Sequence, residues 1–253
     1  MKTVYSLHDE SPLYAPCRKL MLNAPVGWLR KGWQDFRRAP WHSLTYGAIF
    51  AVVGWMLISF LQIHESYFLL GLFISLVAIG PALAFGLYDV SHELEQNHKP
   101  SFSHERSKAI EEMGHVLMLS LLMSVMFMIM LIIISMVMDS VASVEQAVAT
   151  TALPMSNTTF IVISVVFGGL LFCANSFALP MILDQDANAV TAISTSLNAV
   201  WRNKSVFAIW ALLILALTAV GFATALIGFV FIVPILGYAT WHAYRETINT
   251  QGG

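Results

Sequence analysis

Charged residues are scarce in this chain. Asp, Glu, Lys and Arg together make up 11% of the 253 residues, whereas soluble domains carry roughly 25%. Hydrophobic residues make up 57% of the chain, and a water-soluble globule cannot hide that many of them from solvent with so few charges on its surface. The composition therefore excludes an ordinary soluble domain and predicts a protein embedded in a membrane.

Cysteine pairs and catalytic motifs are also missing. Cys17 and Cys173 lie in segments of different character and have neither CxxC nor metal-ligand spacing, so both are predicted to be free thiols. The chain has no Walker loop, GxSxG elbow, HExxH pair or dinucleotide fingerprint. Residues 1–43 lack the apolar core of a cleavable signal peptide. We therefore expect no enzymatic activity and no cofactor, and the first apolar segment serves as the insertion signal.

Long uncharged runs predict how the chain crosses the membrane. Four runs are each long enough for one transmembrane helix: about 44–63, 67–88, 116–138 and 158–183. A fifth run covers 205–244, which as one helix would measure about 60 Å, roughly twice the hydrocarbon thickness. We therefore divide it into spans at about 205–220 and 223–244. The predicted fold is an all-α, polytopic membrane bundle of six transmembrane helices.

The basic residues predict the orientation of this bundle. With six spans, all thirteen Lys and Arg residues lie in the gaps on one side of the membrane. Basic residues near helix ends are retained in the cytoplasm, so both termini are expected there. Residues 1–24 then form a cytoplasmic arm, of which 1–19 are expected to be flexible or loosely docked. Residues 25–246 form a single membrane domain, and 247–253 form a cytoplasmic tail.

Three amphipathic segments are predicted to lie as helices in the cytoplasmic interface: about 25–38, 105–115 and 188–203. In the first, four large apolar residues share one helical face: Val26, Leu29, Trp33 and Phe36. Asp35 and the basic residues occupy the other face. Indole and basic side chains favour the headgroup region, which predicts these interface residues: Trp28, Trp33, Trp41, Arg30, Lys31, Arg37, Arg38, Trp201, Arg202, Lys204 and Trp241. Their expected partner is the lipid bilayer, with anionic lipid in the cytoplasmic leaflet, rather than nucleic acid.

The pattern of the first segment recurs, which suggests an internal repeat. The third segment carries a second apolar stripe at the same spacing: Val190, Ile193, Leu197 and Val200. Each return span also carries a late proline that predicts a helix kink: Pro81, Pro180 and Pro234. One interpretation is three repeats of an interfacial helix plus a two-helix hairpin. The alternative is coincidence, since Trp and Pro occur at similar depths in many membrane proteins.

Several blocks of sequence carry a family resemblance. They are GWLRKGWQDF at 27–36, LTYG at 44–47, GP at 80–81, GLYD at 86–89, LPMILD at 179–184, residues 192–198, and PILGYATWHAYR at 234–245. From about Ala24 to Glu246 the chain resembles a bacterial family of uncharacterised, predicted integral membrane proteins, some of which are labelled cytochrome c oxidase subunits. The resemblance implies a place in the bacterial inner membrane and association with a respiratory oxidase. It supplies no catalytic residues to transfer.

Two carboxylate–histidine pairs are the leading candidates for a metal site. Asp89 with His92 and Glu112 with His115 have the i, i+3 spacing used by di-metal carboxylate proteins. The favoured interpretation is a solvated polar loop, in which these side chains face water. A haem between His115 and His242 requires their helices to be neighbours, and interfacial histidines are favoured over it. We therefore predict no metal, and keep these four residues as secondary candidates.

Methionine is concentrated in the third span. Eight of the thirteen methionines lie between Met113 and Met138. Three of them share one helical face, and thioethers are suitable ligands for Cu(I): Met123, Met126 and Met130. Methionine also fills gaps between packed helices, and Cys173 is the single thiol available in another span. Packing is the favoured interpretation, with copper binding as the alternative.

The interior of the spans contains no Asp, Glu, Lys or Arg, which disfavours an ion-coupled transporter. Asn175 is the most polar mid-span residue and is interpreted as an interhelical hydrogen-bonding group, with a solute or ion contact as the alternative.

We predict a non-catalytic accessory, assembly or stabilising subunit beside other membrane subunits, such as those of an oxidase. The alternative is a transporter or channel for a small uncharged or lipid-like solute. A metal-dependent membrane enzyme is the third class and depends on the carboxylate–histidine pairs.

Overall fold

The protein is described here by a computed structural model, which covers residues 15–61, 80, 83–100, 155–185 and 187–248 and isolated positions between 114 and 140. Regular secondary structure in this part is helical: α1 (Ala24–Arg38), α2 (Pro40–Leu61), α3 (83–95), α4 (Met155–Asn175), α5 (Ala178–Gln185), α6 (Ala189–Arg202), α7 (Lys204–Ala223) and α8 (Phe229–Thr247). The all-α prediction is confirmed for these residues. Some predictions fall wholly or largely outside them: Pro81, Glu112, His115, the helix at 105–115, and the spans at 67–88 and 116–138.

Two helical stretches in the described part are long and apolar enough to cross a membrane. They are Val165–Gln185 and Lys204–Ala223, with hydropathies of 1.9 and 2.5. The uncharged run 205–244 consists of α7 and α8, joined by a turn at 224–228. Phe222 and Phe229 meet across this turn with ring centroids 5.3 Å apart. The total of six crossings stays a prediction.

Helix α8 is the centre of the described bundle, since it packs against α1, α2, α5 and α7. It remains helical through Pro234. The approach of α1 is close enough that a Cβ on Gly32 would lie 2.6 Å from the Ile235 carbonyl oxygen. On α2, the Ser43 hydroxyl lies 2.9 Å from the Tyr238 hydroxyl in the buried interface. Small side chains and paired hydroxyls thus allow three helices to pack with little space between them.

Helix α1 begins with Pro25 in its first turn, where no backbone N–H is needed. It ends at Arg38, just before Pro40. Its orientation corrects the sequence interpretation. The buried face carries Ala24, Pro25, Trp28, Gly32, Asp35 and Phe36, so Asp35 lies in the protein interior and not on a solvated face. Val26 and Trp33, which were expected on one apolar face with Phe36, are 63% and 47% exposed.

Helix α6 shows the same arrangement. The Asn188 side chain caps its start by accepting a 2.8 Å hydrogen bond from the Thr191 backbone N–H. Its buried residues include Ala192, Thr195, Ser196 and Ala199, whereas Val190 and Leu197 are exposed. Both short helices therefore expose large apolar residues, but α6 buries mainly small side chains, whereas α1 also buries Trp28 and Phe36. The exposed apolar residues suit contact with lipid.

The helical stretch Val165–Gln185 is interrupted between α4 and α5. Ser176 and Phe177 form a turn, and the turn precedes Pro180, which has no N–H to offer the Ser176 carbonyl. Ser196 of α6 stabilises this break, since its hydroxyl donates to the Cys173 carbonyl at 2.6 Å and accepts from the Phe177 N–H at 3.1 Å. Backbone groups freed by the break are thus satisfied by a neighbouring helix, as a membrane interior requires.

Residues 15–20 are docked against the bundle, which differs from the expected flexible or loosely docked segment. The Arg18 N–H donates to the Thr247 carbonyl at 2.8 Å, and Cys17 pairs with Ile248 in an antiparallel bridge. The Leu20 N–H donates to the Asn203 side chain at 2.9 Å. We call the end of the bundle at which residues 15–20 meet Ile248 the arm end.

Candidate functional site

Side chains from four helices form a connected polar cluster at the arm end. The polar cluster consists of Asp35 from α1, Ser91 and Glu95 from α3, Asp184 from α5, and His242, Tyr244 and Arg245 from α8. The last three lie at positions 242–245 of one helix, which directs them to neighbours on different sides. Three carboxylates and two cation-forming side chains are thereby brought together from distant parts of the sequence.

Asp35 and His242 form the buried part of the polar cluster. The His242 Nε2–H donates to Asp35 Oδ2 at 2.7 Å, and the Ser91 hydroxyl donates to the same oxygen at 2.7 Å. The other ring nitrogen, Nδ1, lies 3.5 Å from Glu95 Oε1. Because a ring nitrogen that faces a carboxylate carries a proton, this geometry favours the imidazolium form of His242. A buried carboxylate therefore has a cation and a hydroxyl as partners, as its burial requires.

Glu95 forms the solvent-facing side of the polar cluster. Its Oε2 lies 3.3 Å from Arg245 Nε, and its side chain is 30% exposed. Partial burial by itself raises the pKa of Glu95. Hydrogen bonding to His242 and the positive charges of Arg245 and His242 outweigh that effect and lower the pKa of Glu95 below its ordinary value. Glu95 is therefore ionised at neutral pH and bridges the two cationic side chains of α8.

Asp184 ties α5 into the polar cluster. Its Oδ2 accepts a 2.7 Å hydrogen bond from the Tyr244 hydroxyl and lies 3.1 Å from the Arg245 guanidinium. Tyr244 in turn accepts a 3.0 Å hydrogen bond from the Gln185 amide. Asp184 lies shortly before α6 but does not cap it, since the cap is Asn188. Asp184 instead holds the short helix α5 against α8.

The charged groups of the polar cluster are paired with other members of the cluster. Each carboxylate has a cationic or hydroxyl partner, and the most deeply buried carboxylate, Asp35, is 4% exposed. Such a network rigidifies the elements that it joins, and it leaves no group aimed at a space where a substrate would sit. We interpret it as the contact that fixes α1, α3, α5 and α8 together at the arm end.

The predicted metal residues do not meet in the described part of the chain. His92 faces Asp184, with Nδ1 4.0 Å from Oδ1, and its Nε2 lies 2.7 Å from the Gln96 amide. Asp89 is fully buried, whereas a solvated loop was expected. Among the residues that the structure describes, no group of three or more His, Cys, Asp and Glu side chains is placed to hold a metal ion. Of the methionine face, Met126 packs against the core, and Met123 and Met130 lie outside the described residues.

Below the polar cluster lies an apolar cavity of about 430 Å³, which we call the chamber. It is lined by α2, α3, α7 and α8 and by the turn before α8, through Phe50, Gly54, Gly80, Leu83, Ala84, Leu87, Tyr88, Ile214, Thr218, Phe222, Leu226, Phe229, Val233, Leu236, Gly237 and Thr240. No charged side chain occurs among these lining residues. The chamber is therefore suited to an uncharged, largely apolar occupant.

Trp241 separates the chamber from the polar cluster. Its ring packs against Tyr88, which lines the chamber, with centroids 6.4 Å apart. It also contacts His92 edge-on at 5.2 Å and Tyr244 at 5.5 Å. An aromatic layer thus lies between the charged end and the neutral cavity.

A second cavity of about 290 Å³ adjoins the chamber. Tyr88, Ile214 and Thr240 line both cavities. The remaining lining residues of the second cavity come from α4, α7 and the turn after α4: Leu171, Phe172, Asn175, Ser176 and Trp210. Asn175, the predicted intramembrane polar residue, therefore lies at a cavity wall and not at a closed helix–helix contact.

The predicted interface residues divide into two groups. Trp28 and Trp241 are fully buried in the protein, which corrects the prediction that they face the headgroups. Trp28 packs edge-on against Trp210 and donates a 2.9 Å hydrogen bond to Glu246. The remaining predicted interface residues are exposed: Trp33, Trp41, Trp201, Arg30, Lys31, Arg37, Arg38, Arg202 and Lys204. Their contact with headgroups stays a prediction.

Sequence reasoning missed Asp35, Glu95 and His242 as cluster members. Asp35 was assigned to a solvated face because it lies among basic residues in the chain. One signal was present: a lone acid among small and aromatic residues at i−3 and i−7, which are Gly32 and Trp28. A buried carboxylate needs partners, but those partners come from α3 and α8, and their positions follow only from the tertiary fold.

Comparison with known proteins agrees with a membrane location. Residues 68–184, just under half of the chain, match a family model described as a predicted integral membrane protein, DUF2189. This match and the two apolar helices support an integral membrane protein of that uncharacterised kind, and the description names no oxidase. The matched part is shorter than the stretch from about Ala24 to Glu246 over which the resemblance extends. Neither the curated proteins nor the solved structures yielded a significant match.

Proposed function

We propose that this protein is a non-catalytic, multi-pass protein of the bacterial inner membrane that binds an uncharged, lipid-like solute in the chamber and passes it along or holds it. The observation that carries this proposal is the chamber itself. Its volume of about 430 Å³ falls within the range of ligand sites, roughly 300–1,000 Å³. Helices α2, α3, α7 and α8 all contribute to its wall.

The chamber is partly open and is not an enclosed void, so molecules of the surrounding bilayer can reach it. The wall is apolar, so ordered water gains few hydrogen bonds there. An apolar molecule from the bilayer fills such a space without losing hydration. The chamber therefore supports a lipid-soluble occupant.

The lining also supports an uncharged occupant. A charge that enters an apolar cavity loses its hydration, and that loss costs several kcal/mol or more unless a partner charge is present. Charged groups of the polar cluster pair with one another beyond Trp241. Neutral solutes are therefore favoured over ions, which agrees with the absence of Asp, Glu, Lys and Arg from the interior of the predicted spans.

Photoaffinity labelling tests this proposal. The full chain in phosphatidylcholine nanodiscs is treated with a tridecane that carries a diazirine, and labelled peptides are located by mass spectrometry. We expect saturable labelling of chamber residues that is lost in Ala84→Phe, which fills the chamber. Ala216→Phe is the matched control, since Ala216 is exposed on α7 and does not line the chamber. Equal labelling of both variants and the wild type would exclude a chamber site.

A second proposal is the accessory role beside other membrane subunits, with cytochrome oxidase as the candidate complex. It is supported by the outward apolar residues of α1 and α6, which suit a neighbouring chain as well as lipid, and by the docking of residues 15–20 beside Ile248. Gentle solubilisation should then yield stoichiometric co-purifying chains and haem absorbance. A chain that purifies alone in every mild detergent would argue against this role.

The proposed orientation places both termini in the cytoplasm. A single cysteine introduced at Lys99 or Arg202 should be protected from a membrane-impermeant maleimide in intact, outer-membrane-permeabilised cells and should react after lysis. Reaction in intact cells would reverse the orientation.

A further inference from the structure

We infer that the occupant is a neutral amphiphile, with an apolar chain in the chamber and one hydrogen-bonding group at Asn175 in the second cavity. This inference rests on the proposed function and deepens it by naming the class of solute. Long-chain alcohols and other single-chain molecules with a neutral head belong to this class. The inference combines three observations: the adjacency of the two cavities, the lack of a described hydrogen-bond partner for the Asn175 amide, and the distribution of charge.

The two cavities are adjacent. Tyr88, Ile214 and Thr240 line both of them, so these three side chains lie at the boundary that an occupant of both cavities would cross. The chamber is almost wholly apolar along its length. The second cavity has a more polar wall, to which Asn175 and Ser176 contribute. An occupant that matches both parts is apolar at one end and polar at the other.

Asn175 requires a polar partner. It lies in the middle of Val165–Gln185, one of the two helical stretches long enough to cross a membrane. The neighbouring Ser176 hydroxyl donates to the Phe172 carbonyl at 2.6 Å, whereas the Asn175 carboxamide has no hydrogen-bond partner among the residues that the structure describes. An amide left unsatisfied at membrane depth costs several kcal/mol. A hydroxyl or amide group of an occupant removes that cost.

Thr240, at the junction of the cavities, already has protein partners. Its hydroxyl donates to the Leu236 carbonyl at 2.8 Å and is hydrogen-bonded to the Tyr88 side chain. No charged residue lines either cavity in the described part of the chain. The Asn175 amide, which can both donate and accept, therefore favours a neutral polar head over a carboxylate or an ammonium group.

Competition with the diazirine-bearing tridecane tests the inference. Unlabelled 1-dodecanol, dodecane and dodecanoate are compared on the wild-type protein in phosphatidylcholine nanodiscs, at equal concentrations in the membrane phase. We expect dodecanol to compete at a concentration roughly tenfold below that of dodecane, because it adds a hydrogen bond to an otherwise unsatisfied amide. Dodecanoate should compete less well than dodecanol.

Two variants locate the head group. Asn175→Leu keeps the size of the side chain and should abolish the advantage of dodecanol over dodecane while chamber labelling persists, which also shows that the variant is folded. Thr218→Val is the control, since Thr218 lines the chamber but not the second cavity, and should retain the advantage.

The outcomes separate this inference from the proposed function. If dodecane and dodecanol compete equally on the wild type, the head-group site is excluded and the chamber remains a binding site for apolar solutes. Best competition by dodecanoate would replace the neutral class with an anionic one. If no compound competes and Ala84→Phe labels as the wild type does, the proposed function itself fails.

Discussion

The polar cluster and the chamber lie next to each other on the same helices, yet they are built on opposite physical rules. At the arm end, α3 and α8 contribute Ser91, Glu95, His242 and Arg245, which make hydrogen bonds or ion pairs within the polar cluster. Less than two turns earlier the same helices contribute Leu87 and Gly237 to an open apolar cavity. The charged groups of the polar cluster have hydrogen-bond or ion-pair partners, whereas the chamber is an open cavity without charged lining residues.

This difference separates the part that holds the fold from the part available for function. Buried charges are tolerated only when their partners are fixed, so the polar cluster gives α1, α3, α5 and α8 a defined mutual position. The chamber has few such contacts and can therefore change its occupant without loss of a buried partner. We expect substitutions in the polar cluster to affect stability strongly, and substitutions in the chamber to affect binding.

The largest effect is expected from Asp35→Ala. It leaves His242 without its buried carboxylate and Ser91 without its acceptor, and removal of one partner of a buried pair costs about 3–5 kcal/mol. Reversible unfolding in mixed micelles with increasing dodecyl sulfate measures the loss. Gln34→Ala, at an exposed neighbouring position, should change the midpoint little. Equal midpoints for the two variants would mean that the polar cluster does not stabilise the bundle.

The second effect is expected from Gly32→Ala. The added Cβ would lie 2.6 Å from the Ile235 carbonyl oxygen and 3.2 Å from the Ala239 Cβ, so α1 must move away from α8 at a cost of about 1–3 kcal/mol. The same unfolding assay applies. Gly27→Ala is the matched control, because nothing lies within 4 Å of its added Cβ. A midpoint for Gly32→Ala at or above that of Gly27→Ala would contradict the close approach of α1 and α8.

Gly54→Ala should not lower the free energy of unfolding, in contrast to Gly32→Ala. Gly54 lines the chamber, and its added Cβ would meet the Leu226 Cδ1 at 3.5 Å, an ordinary contact. Because glycine weakens a helix interior by roughly 0.5–1 kcal/mol relative to alanine, stability should stay unchanged or rise by up to that amount. A marked loss in the unfolding midpoint would show that the chamber wall is packed as tightly as the arm end.

The smallest effect concerns pH and the partly exposed Glu95. Its folded pKa is lowered, so its contribution to stability is present at neutral pH and is lost as the pH falls below the ordinary glutamate range. His242 and Arg245 of α8 face it directly, and Asp35 and Asp184 share those cations. The wild type should therefore lose more thermal stability than Glu95→Gln between pH 7 and about pH 3, measured by melting temperature. An equal fall in melting temperature for the wild type and Glu95→Gln would mean that ionised Glu95 does not stabilise the polar cluster.

The short helices show how far sequence patterns reach. The spacing of Val26, Leu29, Trp33 and Phe36 identified a helix at about 25–38, close to the observed α1 (Ala24–Arg38). The pattern did not reveal which face is turned toward the protein. In a soluble protein the large apolar stripe is buried, but beside lipid large apolar residues are tolerated on the outer face, as Val26 and Trp33 are here, while Gly32 allows the close contact with α8. Because both the lipid and the protein interior are apolar, the sequence does not determine which face of such a helix packs against the protein.

The candidate site was less predictable than the helices. The sequence singled out Asn175 as polar at membrane depth and His92 and Asp89 as polar neighbours, and the structure places Asn175 at a cavity wall. The sequence did not indicate the chamber, because the leucines, glycines and threonines of the chamber wall also occur wherever membrane helices pack together. A cavity is a property of how helices are arranged and leaves no periodicity in the chain.

The sequence by itself determined that the chain is helical and belongs in a membrane, because hydropathy and helical spacing act over short stretches of chain. It also determined where α1, α6 and the break near Pro180 occur. Only the tertiary structure decided that Asp35 meets His242 and Ser91 across 207 and 56 positions of sequence, and that four helices leave a chamber between them. Contacts between distant residues depend on which helices become neighbours, and local physics does not determine that choice.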